Sequence, residues 1–162
     1  MEDARPARTA VTDRLEAWLR EAGVPFRVLE HAPVFTSEEA ARVRGTPLEA
    51  GAKALVVRAE DRYVHLVLAA HRKVDSARLR ELLGTRKLRF ASREELRELT
   101  GCAPGAVPPF GNLFGLPVLL DEELASRGEV VFNAGSNAVS ILMRGEDLVR
   151  LSGATVCRFA RE

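Results

Sequence analysis

The hydrophobic pattern near the start of the chain has helical spacing. Apolar side chains recur at positions 11, 15, 18, 19 and 22, which predicts a first helix over residues 9–22. Gly23 and Pro25 follow this run and end the helix.

Three polar signatures predict where further helices begin. Residues 36–39 (Thr-Ser-Glu-Glu) form a capping box, in which the threonine hydroxyl and the glutamate three positions on satisfy each other's backbone amides. Residues 92–95 (Ser-Arg-Glu-Glu) repeat the device, and Asp75 is a cap for a short helix between them. Gly45 and Gly84 close the second and third helices.

Short apolar, β-branched runs between the helices predict strands. Residues 54–57 and 63–68 are separated by a polar turn at 60–62, which is typical of a β-hairpin. The other predicted strands are residues 26–29, 88–90, 117–120, 129–132, 139–143 and 155–159. Seven or eight short strands interleaved with short helices indicate an α/β (α+β) fold with a curved mixed β-sheet.

Length and composition agree with one soluble domain. The chain has 162 residues, of which 46% are hydrophobic and 29% charged, and we expect a disordered tail at 1–8 and a single domain at 9–162. No apolar run approaches the roughly 20 residues that span a bilayer, and residues 1–8 lack a signal-type segment. We therefore expect a cytoplasmic protein without a membrane partner.

The cysteines and histidines give no metal motif. Cys102 and Cys157 lie far apart without C-x-x-C spacing, which favours reduced thiols over a disulfide framework. The three histidines form no cluster with cysteines or carboxylates. We expect neither a metal site nor a cofactor.

Basic residues concentrate in one stretch, although the net charge is only +1. Residues 72–97 contain nine lysines and arginines against four aspartates and glutamates. This stretch either steers a phosphate backbone or forms two solvated helix surfaces, and the sequence leaves both interpretations open.

Three places combine special backbone residues with polar ones. Residues 51–53 (Gly-Ala-Lys) enter an apolar strand, so Lys53 is either a solvated edge residue or a cation at a cleft mouth. Residues 100–111 hold three glycines and three prolines, which makes a rigid loop suited to recognition through main-chain groups, or a structural connection. Cys102 lies in that loop, but no nearby histidine would activate its thiol.

The third place, residues 132–137 (Phe-Asn-Ala-Gly-Ser-Asn), is predicted to be a turn between two strands. Asn133, Ser136 and Asn137 can donate hydrogen bonds to an ester carbonyl or its oxyanion, and none shuttles a proton near pH 7. A plain hairpin connection is the alternative.

These segments resemble, in the same order, the YbaK/prolyl-tRNA-synthetase-associated domain family of editing domains that hydrolyse mischarged aminoacyl-tRNA. The matching stretches are Glu-His-Ala-Pro-Val-Phe-Thr-Ser-Glu-Glu-Ala-Ala (30–41), Gly-Ala-Lys-Ala-Leu-Val-Val (51–57), Pro-Gly-Ala-Val-Pro-Pro-Phe-Gly (104–111) and residues 132–143. The resemblance runs from about residue 12 to residue 159. It implies an α/β domain whose curved mixed sheet is flanked by helices.

The resemblance also implies roles for individual residues. Lys53 would hold the terminal phosphate or ribose region of the tRNA acceptor end, and Gly105 would contact the aminoacyl group through its backbone. Asn137 stands where the family often has a histidine, so any role that needs an imidazole is absent here. Lys53, Gly105 and Asn137 are thus the candidate catalytic residues, and the candidate substrate-binding residues are His31, Val107, Pro109, Gly135 and Ser136.

The function that the resemblance implies is an aminoacyl-tRNA deacylase acting in trans on the acceptor end of mischarged tRNA. An aminoacyl ester is already activated, so a held ester, a water and an oxyanion donor suffice without a strong nucleophile. The alternative is a catalytically silent member that binds tRNA or an aminoacyl-tRNA synthetase. A small-molecule or nucleotide-binding domain that shares only the fold is a third possibility.

Overall fold

Two larger β-sheets, a third sheet of only two strands (Lys73–Val74 and Ala160–Arg161), and their flanking helices make up residues 8–161, the part of the chain that the computed structural model describes. The α-helices are α1 (Ala10–Ala22), α2 (Ser37–Arg44), α3 (Ser76–Leu83), α4 (Arg93–Thr100), α5 (Glu122–Ala125) and α6 (Gly145–Ser152), with 3₁₀ helices at Leu48–Ala50 and Gly111–Phe114. The strands are β1 (Phe26–Glu30), β2 (Ala52–Ala59), β3 (Arg62–Ala69), β4 (Lys73–Val74), β5 (Leu88–Phe90), β6 (Val118–Asp121), β7 (Glu129–Ser136), β8 (Val139–Arg144), β9 (Thr155–Cys157) and β10 (Ala160–Arg161).

The strands combine parallel and antiparallel pairing, which confirms the predicted mixed α/β class. One sheet has the antiparallel order β1-β8-β7, and the larger sheet has the order β5-β2-β3-β6-β9. In the larger sheet β3–β6 and β6–β9 are parallel pairs, whereas β2 pairs antiparallel with β3 and β5. A single parallel bridge between Gly51 and Val131 joins the two sheets, so the expected curved sheet is divided at that point.

The predicted helix starts are confirmed by their caps. Thr9, Asp75 and Ser92 accept hydrogen bonds from backbone amides in the first turns of α1, α3 and α4. At α2 the Thr36 hydroxyl accepts from the Glu39 amide at 3.1 Å, as expected. The Glu39 carboxylate, however, accepts from the amide preceding Thr36, so only half of that capping box forms.

The segment predicted as a turn at 132–137 is mostly strand. β7 continues to Ser136 with an irregular register between Asn133 and Ser136, and only Asn137 and Ala138 form the turn. The strand persists because Ala134 is fully buried and its carbonyl accepts a hydrogen bond from the Thr12 hydroxyl at 2.7 Å.

The last predicted strand is shorter in the structure than its sequence pattern indicates. The strand predicted over 155–159 stops at Cys157. Beyond it, the buried Asp121 carboxylate accepts hydrogen bonds from the backbone amides of Phe159 and Ala160 at 2.9 and 2.8 Å, in place of further pairing with β6. The predicted tail at 1–8 lies outside the described residues except for Arg8, which forms ion pairs with side chains of α1 and β1.

The main hydrophobic core anchors the far end of the glycine- and proline-rich loop at 101–111. Phe110 is fully buried there and makes edge-to-face contacts with Trp18 and Phe132, with ring centroids 5.1 and 5.8 Å apart. This end of the loop is therefore fixed by packing.

Gly111 brings the loop against a buried histidine of β3. A Cβ added at Gly111 would lie 2.5 Å from Cβ and Cγ of His65, whose side chain has no exposed surface. Only glycine permits this approach of the backbone to the ring.

We expect Gly111→Ala to lower the free energy of unfolding by about 1–3 kcal/mol, because the new methyl group overpacks the His65 ring. Denaturant unfolding followed by circular dichroism measures the change. Gly128→Ala is the matched control, since a Cβ at Gly128 meets nothing within 4 Å. Equal stability of the two variants would contradict the prediction.

Candidate functional site

A cavity of about 500 Å³ opens where α2, the start of β2, the 101–111 loop and the end of β7 meet. Its walls come from residues 34–37, from the inner face of α2, and from the turn at 46–48. Residues 51–53 and 103–105 complete it, together with Ala70, Arg93, Asn133 and Asn137. The cavity is of the size that commonly holds small-molecule ligands.

The lining is cationic. Arg44, Lys53 and Arg93 lie in the cavity wall, and none of the described lining residues is an aspartate or glutamate. Burial, and secondarily the charge of Lys73, lowers the pKa of the Lys53 ammonium. Burial alone lowers the pKa of Arg44 to about 10, so the guanidinium is still charged at neutral pH.

Arg44 connects α2 to the 101–111 loop through β7. Its Nε donates to Ser140 Oγ and its Nη2 to Asn133 Oδ1, both at 2.8 Å. Asn133 Nδ2 in turn donates to the Gly105 carbonyl at 2.7 Å. Since both acceptors of Arg44 are neutral, its positive charge is held in place without being cancelled.

His65 holds the same loop from behind the cavity. Its Nε2 lies 3.0 Å from the Pro108 carbonyl, an arrangement in which Nε2–H donates. Burial lowers the pKa of His65 to about 4, and the Pro108 carbonyl only partly offsets this. The imidazole is therefore neutral at pH 7 and acts as a fixed donor to the loop.

The structure brings three of the predicted site residues together. Lys53, Gly105 and Asn137 all line the cavity, on β2, on the 101–111 loop and at the β7–β8 turn respectively. Lys53 and the glycine–proline loop therefore share one cavity, as the predicted site requires.

The five predicted substrate-binding residues lie outside the cavity lining. His31 is half-buried with Nε2 2.7 Å from Ser140 Oγ, which places it behind Arg44. Val107 and Pro109 are buried on the inner side of the loop. Gly135 has a φ of 84° and packs against α1, and the Ser136 hydroxyl accepts from the Ala138 amide.

Other candidate chemistry is not assembled in the described residues. Cys102 is 2% exposed and its thiol lies 3.6 Å from the Thr100 carbonyl, and burial raises its pKa, which disfavours a thiolate nucleophile. Within residues 8–161 no three histidine, cysteine or carboxylate side chains are grouped to hold a metal ion. No helix of that part is long and apolar enough to cross a membrane.

Sequence reasoning missed Arg44, Arg93 and Phe35, which also line the cavity. A signal for Arg44 existed, because positions 37, 40, 41 and 44 recur on one face of α2 and all line the cavity. For Arg93 the signal was its place in the basic stretch at 72–97, and for Phe35 it was the matching motif at 30–41.

Comparison with known proteins gives a consistent picture. The profile of the aminoacyl-tRNA editing domain family matches residues 31–151. The chain is 36% identical over 161 residues to the multifunctional Ser/Thr-tRNA deacylase ProXp-y of Escherichia coli (strain K12), covering 96% of each chain. It is 30% identical over 155 residues to the prolyl-tRNA editing protein ProX of Acetoanaerobium sticklandii, covering 92% of this chain and 90% of the relative. A crystal structure of a candidate trans-editing enzyme for prolyl-tRNA synthetase superposes with a TM-score of 0.86 at 30% identity, covering 96% of this chain and all of the other.

The depressed pKa of His65 makes stability depend on pH. The unfolded chain takes up a proton near pH 6.5 and the folded chain only near pH 4, so stability falls as the pH drops between these values. We expect the wild type to lose about 3 kcal/mol from this group between pH 7 and pH 4. His65→Gln keeps a donor for Pro108 but does not titrate. Denaturant unfolding should therefore show that the advantage of the wild type in free energy of unfolding shrinks by that amount between pH 7 and pH 4. Parallel pH curves for the two proteins would exclude this role.

Proposed function

The chain belongs to the aminoacyl-tRNA editing domain family, and from that premise we propose that it is an aminoacyl-tRNA deacylase. It is a hydrolase that cleaves the ester of mischarged tRNA in trans and so contributes to translation fidelity. The relatives that cover nearly its whole length are named as a tRNA deacylase and an editing protein. Its place of action is then the cytoplasm, where mischarged tRNA forms.

The observation that carries the proposal is the charge of the cavity. Arg44, Lys53 and Arg93 face it without a carboxylate among the described lining residues. The 3′ end of tRNA is an anion with a phosphodiester next to the ribose that bears the amino acid, and a cavity of about 500 Å³ has room for more than a small amino acid. An anionic ligand of this size fits both the charge and the volume.

The lining suggests a division of roles. We assign the Lys53 ammonium to the terminal phosphate or ribose oxygens, because it is the cation at the strand entry next to the Gly105 loop. The Gly105 backbone borders the amino acid, and Asn133 and Arg44 keep its carbonyl in place. The Asn137 amide orients either the ester or the attacking water.

The chemistry then rests on positioning and electrostatics. No histidine, aspartate or glutamate is among the described lining residues, so the cavity offers no carboxylate or imidazole base. A held water attacks the ester carbonyl carbon, the cationic lining stabilises the oxyanion, and the ribose oxygen leaves as a hydroxyl after taking up a proton. The products are the free amino acid and uncharged tRNA.

Serine and threonine are the substrates we propose, because the Escherichia coli relative is named for them. The relative from Acetoanaerobium sticklandii is named for prolyl-tRNA, so the tRNA to test first is tRNAPro alongside the serine and threonine tRNAs. An aminoacyl-tRNA synthetase is a further partner to test, since the structural relative is described as acting in trans for prolyl-tRNA synthetase.

A catalytically silent tRNA- or synthetase-binding module is the second candidate. The observation that favours it is Asn137, which lines the cavity at the position where the family often has a histidine. The two candidates differ in one respect, because a silent module binds mischarged tRNA without releasing the amino acid.

We expect Lys53→Ala to lower kcat/KM for deacylation by on the order of 100-fold, because it removes a charge aimed at the substrate. The measurement is release of amino acid from a panel of mischarged tRNAs. Arg27→Ala is the control, since Arg27 is an exposed cation of β1 that lies outside both the cavity lining and the basic stretch. Binding by the wild type without release would support the silent module, and equal loss in both variants would refute a specific role for Lys53.

The basic stretch at 72–97 gives a salt prediction. Arg86 and Lys87 are exposed beside an open depression that Arg58 and Arg89 also line. If this surface contacts the phosphate backbone, the Arg86→Ala/Lys87→Ala variant should reduce the slope of log Kd against log salt by up to about 2. Filter binding of tRNA at several salt concentrations measures it, with Arg27→Ala on β1 as control. An unchanged slope would leave this stretch as a solvated surface.

A further inference from the structure

Phe35 is an aromatic side chain presented to solvent at the edge of the cavity. It is 79% exposed, more than any other large hydrophobic residue among the described ones, and it is part of the cavity lining. The other exposed large hydrophobic residues are 40–55% exposed and lie outside the lining: Val43, Leu82, Phe90 and Val156. A single exposed hydrophobic residue is ordinary on a protein surface, but one that also lines a cavity can contact the ligand bound there.

The backbone around Phe35 is firmly held. The Phe35 amide donates to the Glu39 carboxylate at 2.8 Å, and the Val34 amide donates to the Asn137 carbonyl at 3.0 Å. Val34 itself is 3% exposed. The ring therefore projects from a fixed position, which reduces the entropy cost of binding a ligand on it.

The faces of the ring are unused within the folded chain. No aromatic ring or guanidinium group of residues 8–161 stacks on Phe35, whereas Phe26 and Phe114 each lie under an arginine. With 79% of its surface exposed, the Phe35 side chain can thus accept a planar ligand.

We propose that Phe35 is the stacking platform for the 3′-terminal base of the tRNA, an adenine. This rests on the proposed function, because it assigns the base of the nucleotide whose ribose carries the ester. The base and the ester are attached to the same ribose. If that ribose lies near Lys53 and Asn137, its base therefore extends to the cavity edge, where Phe35 lies. Aromatic side chains bind bases in this way without sequence-specific hydrogen bonds.

A nucleobase fits this surface better than a protein partner does. The cavity that Phe35 borders is lined by Arg44, Lys53 and Arg93, and a nucleotide supplies both the planar ring and the negative charge that this combination requires. A hydrophobic protein partner would need a continuous apolar patch, but the chain neighbours of Phe35 are the buried Val34 and the polar Thr36.

Kinetics with conservative variants test the platform. We expect Phe35→Leu to raise KM for mischarged tRNA by on the order of tenfold with kcat nearly unchanged, because leucine keeps apolar volume but has no ring face. Phe35→Trp should retain or improve KM. Phe90→Leu, an exposed phenylalanine outside the cavity, should match the wild type. Equal KM values for Phe35→Leu and Phe90→Leu would overturn the proposal.

A second measurement reports on the base directly and does not depend on hydrolysis. The probe is an acceptor-stem RNA with 2-aminopurine as its 3′-terminal base and serine attached by a non-hydrolysable amide. Stacking on Phe35 should quench its fluorescence on binding to the wild type and to Phe90→Leu, and much less on binding to Phe35→Leu at saturating protein.

The outcomes separate the platform from the enzymatic function. Quenching that depends on Phe35 supports the platform even if the wild type releases no amino acid, in which case only the deacylase activity fails. Deacylation with quenching that is the same in Phe35→Leu refutes the platform and leaves the activity standing. Loss of synthetase binding in Phe35→Leu, with unchanged quenching, would overturn the proposal in favour of a protein-docking role.

Discussion

The hydrogen bonds of Arg44 are the interaction on which the site depends. Its guanidinium, in the last turn of α2, donates hydrogen bonds to Ser140 and Asn133 in the three-stranded sheet. The Asn133 side chain in turn donates a hydrogen bond to the Gly105 carbonyl. Desolvating this cation is costly, and only neutral oxygens compensate it. A cation kept partly buried in this way both fixes the loop and leaves a positive potential for an anionic ligand.

The loop at 101–111 is held from three sides, which explains how a segment without regular structure can form a wall of a binding site. Phe110 anchors one end in the core, His65 donates to Pro108, and Asn133 donates to Gly105. None of these contacts requires a charged partner, and the loop itself contains no aspartate or glutamate. Rigidity and cationic character therefore arise from the same set of interactions, and both suit a site that hydrolyses an already activated ester.

Local signals predicted the strands of the two larger sheets and helices α1 to α4, but not α5 and α6, and they predicted the site only in part. Thr36, Asp75 and Ser92 marked the starts of α2, α3 and α4, since capping is decided within a few residues of the chain. The family resemblance selected the three residues that the structure brings into one cavity.

What the sequence did not reveal depends on contacts between distant segments. Arg44 and Asn133 are 89 positions apart, and His65 and Pro108 are 43 positions apart. The burial of Val107 and Pro109 likewise follows from how the loop folds back, which no local pattern encodes. The length of β7 was underestimated because its polar, glycine-containing end has the composition of a turn.

The lone bridge between Gly51 and Val131 limits where residues can be inserted into or deleted from this chain during evolution. The bridge aligns the two sheets next to the cavity. Gly51 lies two residues before Lys53, and Val131 lies two residues before Asn133. An inserted or deleted residue in either interval would turn the following side chain to the opposite face of its strand, away from the cavity. Additions at the hairpin tip, Glu60 and Asp61, lie at the other end of β2 and would spare this alignment.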